Sequence, residues 1–235
     1  LGGLTLGKAS MTNDIQVYNS IDVNGPIELL GASIIVNPGA VLDSTGGGTM
    51  ANIVLHGSGS VSVSEAIIAG GGVDIHGNTV ALGSSIAYTG DVSIVSDNSD
   101  INLSGALSKT GTADTSTLLK SSRHIVLGSG ASMTTAAGSQ NIKLWADSDN
   151  SGDGINIISS QAVATGGGSL TIGNGSTATI GGVTTLVGGD LYVNGTLAQA
   201  LSGRFAARDI RPATAVSPSV LPGLHRRDER PVPCP

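Results

Sequence analysis

Cysteine is almost missing from this chain of 235 residues; the single thiol, Cys234, stands next to the C-terminal Pro235, so no intrachain disulfide staples the fold. Aromatic residues are nearly as scarce. Before residue 204 there are only Tyr18, Tyr88, Trp145 and Tyr192, so any core must be built from Ile, Val, Leu and Ala. No stretch approaches the roughly eighteen apolar residues of a membrane helix. The longest candidate, around Ile34 to Leu42, is broken by Asn37, Pro38 and Gly39, which argues against a transmembrane segment. Cations are few as well, and the formal net charge is −6 with 17 Asp/Glu against 11 Lys/Arg. That balance suits solubility and disfavours nucleic acid or an anionic membrane as partner.

What the chain does have is a recurring doublet of apolar residues around one spacer. It occurs at Ile15/Val17, Ile21/Val23, Ile27/Leu29, Ile34/Val36, Ile53/Leu55, Val61/Val63, Val73/Ile75, Val80/Leu82, Ile86/Tyr88, Val92/Ile94 and Ile101/Leu103. Side chains at i and i+2 of a strand share a face, so each doublet reads as a very short strand offering two apolar groups to one interior. Gly, Asn, Asp and Ser separate the doublets, and these residues turn a chain at low cost. Steps of about six or seven residues leave no room for crossover helices and predict an all-β fold, a right-handed parallel β-helix. Three strands per coil would use roughly 19 to 20 residues, giving about ten coils and a rod roughly 50 Å long.

Two kinds of sequence meet near Gly203. Residues 1–203 contain 35 of the 36 Gly and only Pro26 and Pro38, with five Lys/Arg against fourteen Asp/Glu. Residues 204–235 hold six Pro and six Arg, including Arg226, Arg227 and Arg230. Prolines deny strand hydrogen bonds, so the tail is expected to be disordered, and its abrupt change of character suggests a frame shift or other non-native end. Within the repeat segment the doublets fade across the Thr/Ser-rich residues 104–122, which predicts an irregular loop leaving the coil. They return at Ile125/Leu127, Ile142/Leu144, Ile155/Ile157, Leu170/Ile172, Ala178/Ile180 and Leu191/Val193. Gly-Gly-Gly runs at 46–48, 70–72 and 166–168 fall between strands, and no helix follows them to make a phosphate loop. The chain begins at Leu1 without a basic, apolar leader, which suggests a piece of something longer.

The segment Asn141-Ile-Lys-Leu-Trp-Ala-Asp-Ser-Asp-Asn-Ser-Gly-Asp-Gly-Ile155, set among Gly/Ser/Thr-rich strand repeats, resembles the filamentous-haemagglutinin-like exoproteins, large β-strand-repeat adhesins of Gram-negative bacteria. The resemblance spans about residues 10–203. It implies a secreted or cell-surface β-helix, exported with an outer-membrane secretion partner and acting as a rigid stalk and lateral binding surface for host-cell or matrix glycans and proteins. A fragment with open strand edges is further expected to associate end to end.

The same segment carries the best chemical motif. Asp147, Asp149, Ser151 and Gly152 fall on positions one, three, five and six of an Asp-x-Asp-x-Asp-Gly calcium loop, and Asp153 could add its carbonyl. Position twelve, where a bidentate Glu closes such a site, is Ile158, and no helix flanks the loop. An acidic turn between two strands is the plainer reading. A second near-match, Ala69-Gly-Gly-Gly-Val-Asp74, approaches a calcium β-roll repeat as a single imperfect copy.

Two other function classes share this architecture. A β-helix carbohydrate-active enzyme would need paired carboxylates, for which Asp97 with Asp100, Asp147 with Asp149, or Asp74 with Asp91 are available. His56, His76, His124 and His225 lack metal-ligand spacing and read as exposed turn residues, and Lys120 and Arg123 are the only cations near a carboxylate-rich groove. An ice- or crystal-binding solenoid would need Thr-x-Thr at the coil period, whereas Thr171, Thr177, Thr179, Thr184 and Thr185 merely cluster. Taken with the resemblance, which implies an adhesin, the expectation is a non-enzymatic segment of such a protein.

Overall fold

The computed structural model describes residues 1–128, 130–151, 154–158, 162–173, 177–180, 191–193 and 210–212. Their strands form three sheets of ten, eight and seven strands. Pairing within each is parallel. One coil runs through Ile27–Gly31 in the first sheet, Ile34–Val36 in the second and Leu42–Asp43 in the third. It then returns to the first sheet at Ile53–Gly57, which pairs directly with Ile27–Gly31. The smallest sheet has seven strands, so the described residues complete seven turns of a parallel β-solenoid.

The doublets point inward. In the first sheet Ile27, Ile53, Val73, Val92, Thr117, Ile142 and Leu170 stack in one column. Leu29, Leu55, Ile75, Ile94, Leu119, Leu144 and Ile172 stack beside them. All but Thr117 belong to one continuous aliphatic core. Each such side chain contributes about 1.5–3 kcal/mol by leaving water. The third sheet is narrower: Leu42, Ile67 and Ile86 pair in register, as do Ile86, Leu107, Met133 and Val163 further along.

Two of six measured coils match the expected 19 to 20 residues and four are longer. Successive residues of the first column, Ile27, Ile53, Val73, Val92, Thr117, Ile142 and Leu170, stand 26, 20, 19, 25, 25 and 28 positions apart. The surplus sits at corners: a 3₁₀ turn at Thr45–Met50, the connection 110–114 and the turn after Trp145. Coils of 25 to 28 residues fit fewer turns into the same length than the expected period allows, and the described residues complete seven.

Residues 104–122 do not leave the coil. They supply Ala106–Lys109 to the third sheet and Thr115–Ser121 to the first. The apolar signal fades there because the inward positions are Thr115, Thr117, Leu119 and Ser121, three of them hydroxylic and all buried. Thr117 belongs to a buried polar cluster, whereas Ser121 Oγ donates to the Ser99 carbonyl and Thr115 Oγ1 has no hydrogen-bond partner among the described residues. The Tyr88 hydroxyl lies 3.4 Å from Thr117 Oγ1, and Gln140 Nε2 donates to both. Gln140 Oε1 accepts from Thr135 Oγ1 at 3.1 Å. Lys109, fully buried, donates from Nζ to the carbonyls of Gly111 and Ala137. Burial pushes the Tyr88 phenol above its ordinary range, against the opposing pull of its bonds to Thr117 and Gln140.

One further expectation is corrected by register. Asn156 and Ile158, not Ile155 and Ile157, align with Ile125 and Leu127, a slip of one position. Ile210–Pro212, within the tail expected to be disordered, pairs in parallel with Leu191–Val193 as the last strand of the first sheet, an edge position that proline tolerates. The rest of 204–235 lies outside the described residues.

Side-chain clamps reinforce the corners. Asp14 Oδ1 accepts the backbone N–H of Ser33 at 3.0 Å, Asn52 Oδ1 that of Gly72 at 2.8 Å and Asp91 Oδ1 that of Ser116 at 2.8 Å. Asp100 Oδ1 accepts from His124 at 3.1 Å, Asp114 Oδ1 from Ser139 at 2.9 Å and Asn141 Oδ1 from Ser169 at 3.0 Å. In each case the donor lies one coil further along. Glu65 reaches the other way, with Oε2 2.9 Å from Gly39 N.

Two predictions follow from this packing. Ile94→Ala removes a fully buried side chain from the central column and is expected to cost about 2–5 kcal/mol in urea unfolding. Gly105→Ala would place a Cβ 2.0 Å from the Ser84 carbonyl of the preceding coil, so it is expected to cost about 1–3 kcal/mol despite adding only one methyl. A third prediction concerns acid. Backbone N–H bonds hold Glu65 (chiefly from Gly39) and Asp114 (chiefly from Ser139) below their ordinary pKa values. Their stabilising contribution is therefore present above about pH 4 and lost as pH falls through the lowered folded values. Thermal melts should be flat down to about pH 4 and fall below it. Asp114→Asn, which keeps an acceptor but cannot titrate, should flatten part of that fall.

Candidate binding face

Alternation sends every second residue of the first sheet outward, so inward Ile53, Leu55, Val73 and Ile75 leave Val54, His56, Asp74 and His76 on the surface. The outward column in register with His56 and His76 continues through Val95 and Lys120 to Trp145. The parallel column runs through Asp74, Ser93, Leu118, Lys143 and Thr171. The face thus changes chemistry along its length, from histidine and carboxylate to lysine and tryptophan.

At one end His56 Nε2 lies 2.9 Å from Asp74 Oδ2, and His76 Nε2 lies 2.7 Å from Asp97 Oδ2. The two rings meet edge to face with centroids 5.6 Å apart. His56 and His76 are strand residues paired with carboxylates, not the turn residues expected from sequence. Asp74 serves His56, and Asp91 accepts the Ser116 backbone N–H. His124 follows the turn before Ile125–Leu127, where its backbone N–H is held by Asp100; His225 lies outside the described residues.

Further along, Lys143 Nζ stands 4.3 Å and Lys120 Nζ 5.2 Å from the centre of the Trp145 ring. Lys120 is the register partner of Trp145 on the preceding coil, and Lys143 lies two residues before it on the same strand. Both therefore reach the ring because strand geometry puts them on its face. Trp145 Nε1 is buried and has no hydrogen-bond partner among the described residues. Beside it an open groove of about 400 Å³ is lined by Ser116, Leu118, Asn141, Lys143, Ser169 and Thr171, among others. Three coils contribute, so the groove runs along the rod axis.

The turn after Trp145 brings Asp147, Asp149 and Ser151 together. Ser151 Oγ donates to Asp147 Oδ1 at 3.1 Å, and Ser151 N donates to Asp149 Oδ1 at 3.2 Å. That backbone bond is the main reason the Asp149 carboxyl is held below its ordinary range. Asp147 and Asn150 both take positive φ, 55° and 58°, a conformation these residue types accept more readily than most. Gly152 and Asp153 lie outside the described residues. Among the described residues no group of three or more His, Cys, Asp or Glu side chains is gathered to hold a metal. Calcium titration is expected to give no heat at millimolar metal, since Ser151 already engages both carboxylates; heat abolished by Asp149→Asn would assign the turn a cation.

No helix among the described residues is long and apolar enough to cross a membrane. The architecture defines a parallel β-solenoid repeat protein, a fold compatible with a structural or binding role. Scans against protein-family models, curated proteins and solved structures found no match.

Proposed function

We propose that the chain is a non-enzymatic segment of a secreted or cell-surface adhesin of the filamentous-haemagglutinin-like type, serving as rigid stalk and lateral binding surface. The observation that carries this reading is the unbroken stack of seven parallel turns around one aliphatic core. Such a stack presents side chains in straight columns over a long flat face, a geometry for many weak polar contacts rather than one deep pocket. The groove beside Trp145 is open, and the carboxylates nominated for sugar chemistry are committed elsewhere: Asp74 to His56, Asp91 and Asp100 to backbone N–H groups, Asp97 to His76. The partners in this reading are host-cell or matrix glycans and proteins, and export uses an outer-membrane secretion partner.

The test is a binding and cleavage screen of the full chain on immobilised glycans and matrix proteins. Retention without a change in glycan length is the expected result. Shortened glycan products would replace this reading with that of a β-helix polysaccharide lyase or hydrolase.

A further inference from the structure

We propose that the groove beside Trp145 binds an unbranched polyuronate, a polysaccharide with one carboxylate on each ring, laid along the rod axis. The assignment rests on the binding-surface reading above and names the ligand class for one part of that surface. Charge is the first argument. Of the five Lys and Arg before residue 204, Lys109 is buried, and three of the other four, Lys120, Arg123 and Lys143, lie on two adjacent coils. Three of the five cations before residue 204 thus stand on two adjacent coils, and two of them, Lys120 and Lys143, lie on the outward face beside the only tryptophan. Potentials of one sign along a groove raise the local concentration of the opposite ion.

Ligand type follows from the lining. Ser116, Asn141 and Ser169 stand level on successive coils along one wall, and Leu118, Lys143 and Thr171 along the other. Hydroxyl and amide groups suit sugar hydroxyls, with Asn141 Nδ2 as donor because its Oδ1 already accepts from Ser169. Trp145 supplies an apolar ring for a sugar C–H face. Charge density then selects among anionic chains. Lys120 and Lys143 belong to neighbouring coils spaced about 4.8 Å apart, comparable to the length of one pyranose ring. One carboxylate per ring matches one ammonium on each of these two coils, whereas a densely sulfated chain or a nucleic acid carries more charge than the groove can meet.

The experiment is calorimetric titration of the full chain with oligogalacturonate at near-physiological salt, alongside its neutral methyl ester, a heparin oligosaccharide and a single-stranded oligonucleotide. Oligogalacturonate is expected to bind, weakening as salt rises, and the methyl ester is expected not to bind. Trp145→Ala should weaken binding by about tenfold or more, as loss of an aromatic anchor does. Lys143→Gln should weaken it several-fold while leaving the melting temperature in place. Trp145→Phe, which keeps a ring, should retain most of the affinity and separates loss of contact from loss of fold. Equal binding of the methyl ester, binding of heparin or oligonucleotide as tight as that of oligogalacturonate, or unchanged affinity in both the Trp145→Ala and Lys143→Gln proteins would overturn the assignment. The two readings fail separately. Host glycans retained while oligogalacturonate is not would sink this site and leave the adhesin standing; oligogalacturonate bound and then shortened would keep the site and sink the non-enzymatic reading.

Discussion

Backbone hydrogen bonding between successive coils is the constraint on which the rest of this structure depends. A strand of three to five residues cannot satisfy its own polar groups, so each coil exists because the one beside it supplies donors and acceptors in parallel register. That register fixes everything else. It stacks like residue on like residue, makes the interior a set of straight aliphatic columns and sets outward side chains in rows one coil apart. The short corner segments have little freedom left, and the clamps from Asp14, Asn52, Asp91, Asp100, Asp114 and Asn141 tie their backbones to the next coil.

Much of this was legible in the residues. The doublets from Ile27/Leu29 to Ile101/Leu103, apart from Ile86/Tyr88 in the third sheet, name the inward positions of the first two sheets, because a period of two with a small polar spacer leaves little else for a chain of this composition to form. The third sheet was harder to see. Leu42–Asp43 and Ile67–Ile68 are two-residue strands with one inward side chain each, which leaves no period to detect. Residues 104–122 were misread for a different reason: the inward positions of Thr115–Ser121 are mostly hydroxyls, and only the fold shows that Tyr88 and Gln140 are there to satisfy Thr117. Coil length was misjudged because corners accept extra residues without disturbing the ladder on either side.

For the candidate face, the sequence directs attention to a turn and the structure to the strand before it. Attention falls naturally on the carboxylates of the turn at Asp147 to Ser151, since oxygen ligands at alternate positions announce a cation site. Those carboxylates are engaged by Ser151. The chemistry that stands out in three dimensions lies just before them, where Trp145 meets Lys143 from its own strand and Lys120 from the coil before. The 25-residue separation of Lys120 and Trp145 carries no local signal; only the register brings them level. The pairing of His76 with Asp97 and the contact of the His56 and His76 rings were hidden in the same way.

The direction of the inter-coil hydrogen bonds has a mechanical consequence. They run along the rod axis, so a pull on its two ends loads the interfaces between coils in series. Each interface carries the full force, and yielding begins at whichever has the fewest bonds rather than being shared along the length. The narrow third sheet adds least at every interface, and the corner clamps act in parallel with the ladders they border. A rod built this way resists bending through its continuous core, and under tension it gives way one coil at a time, each released coil paying out roughly 60–90 Å of extended chain.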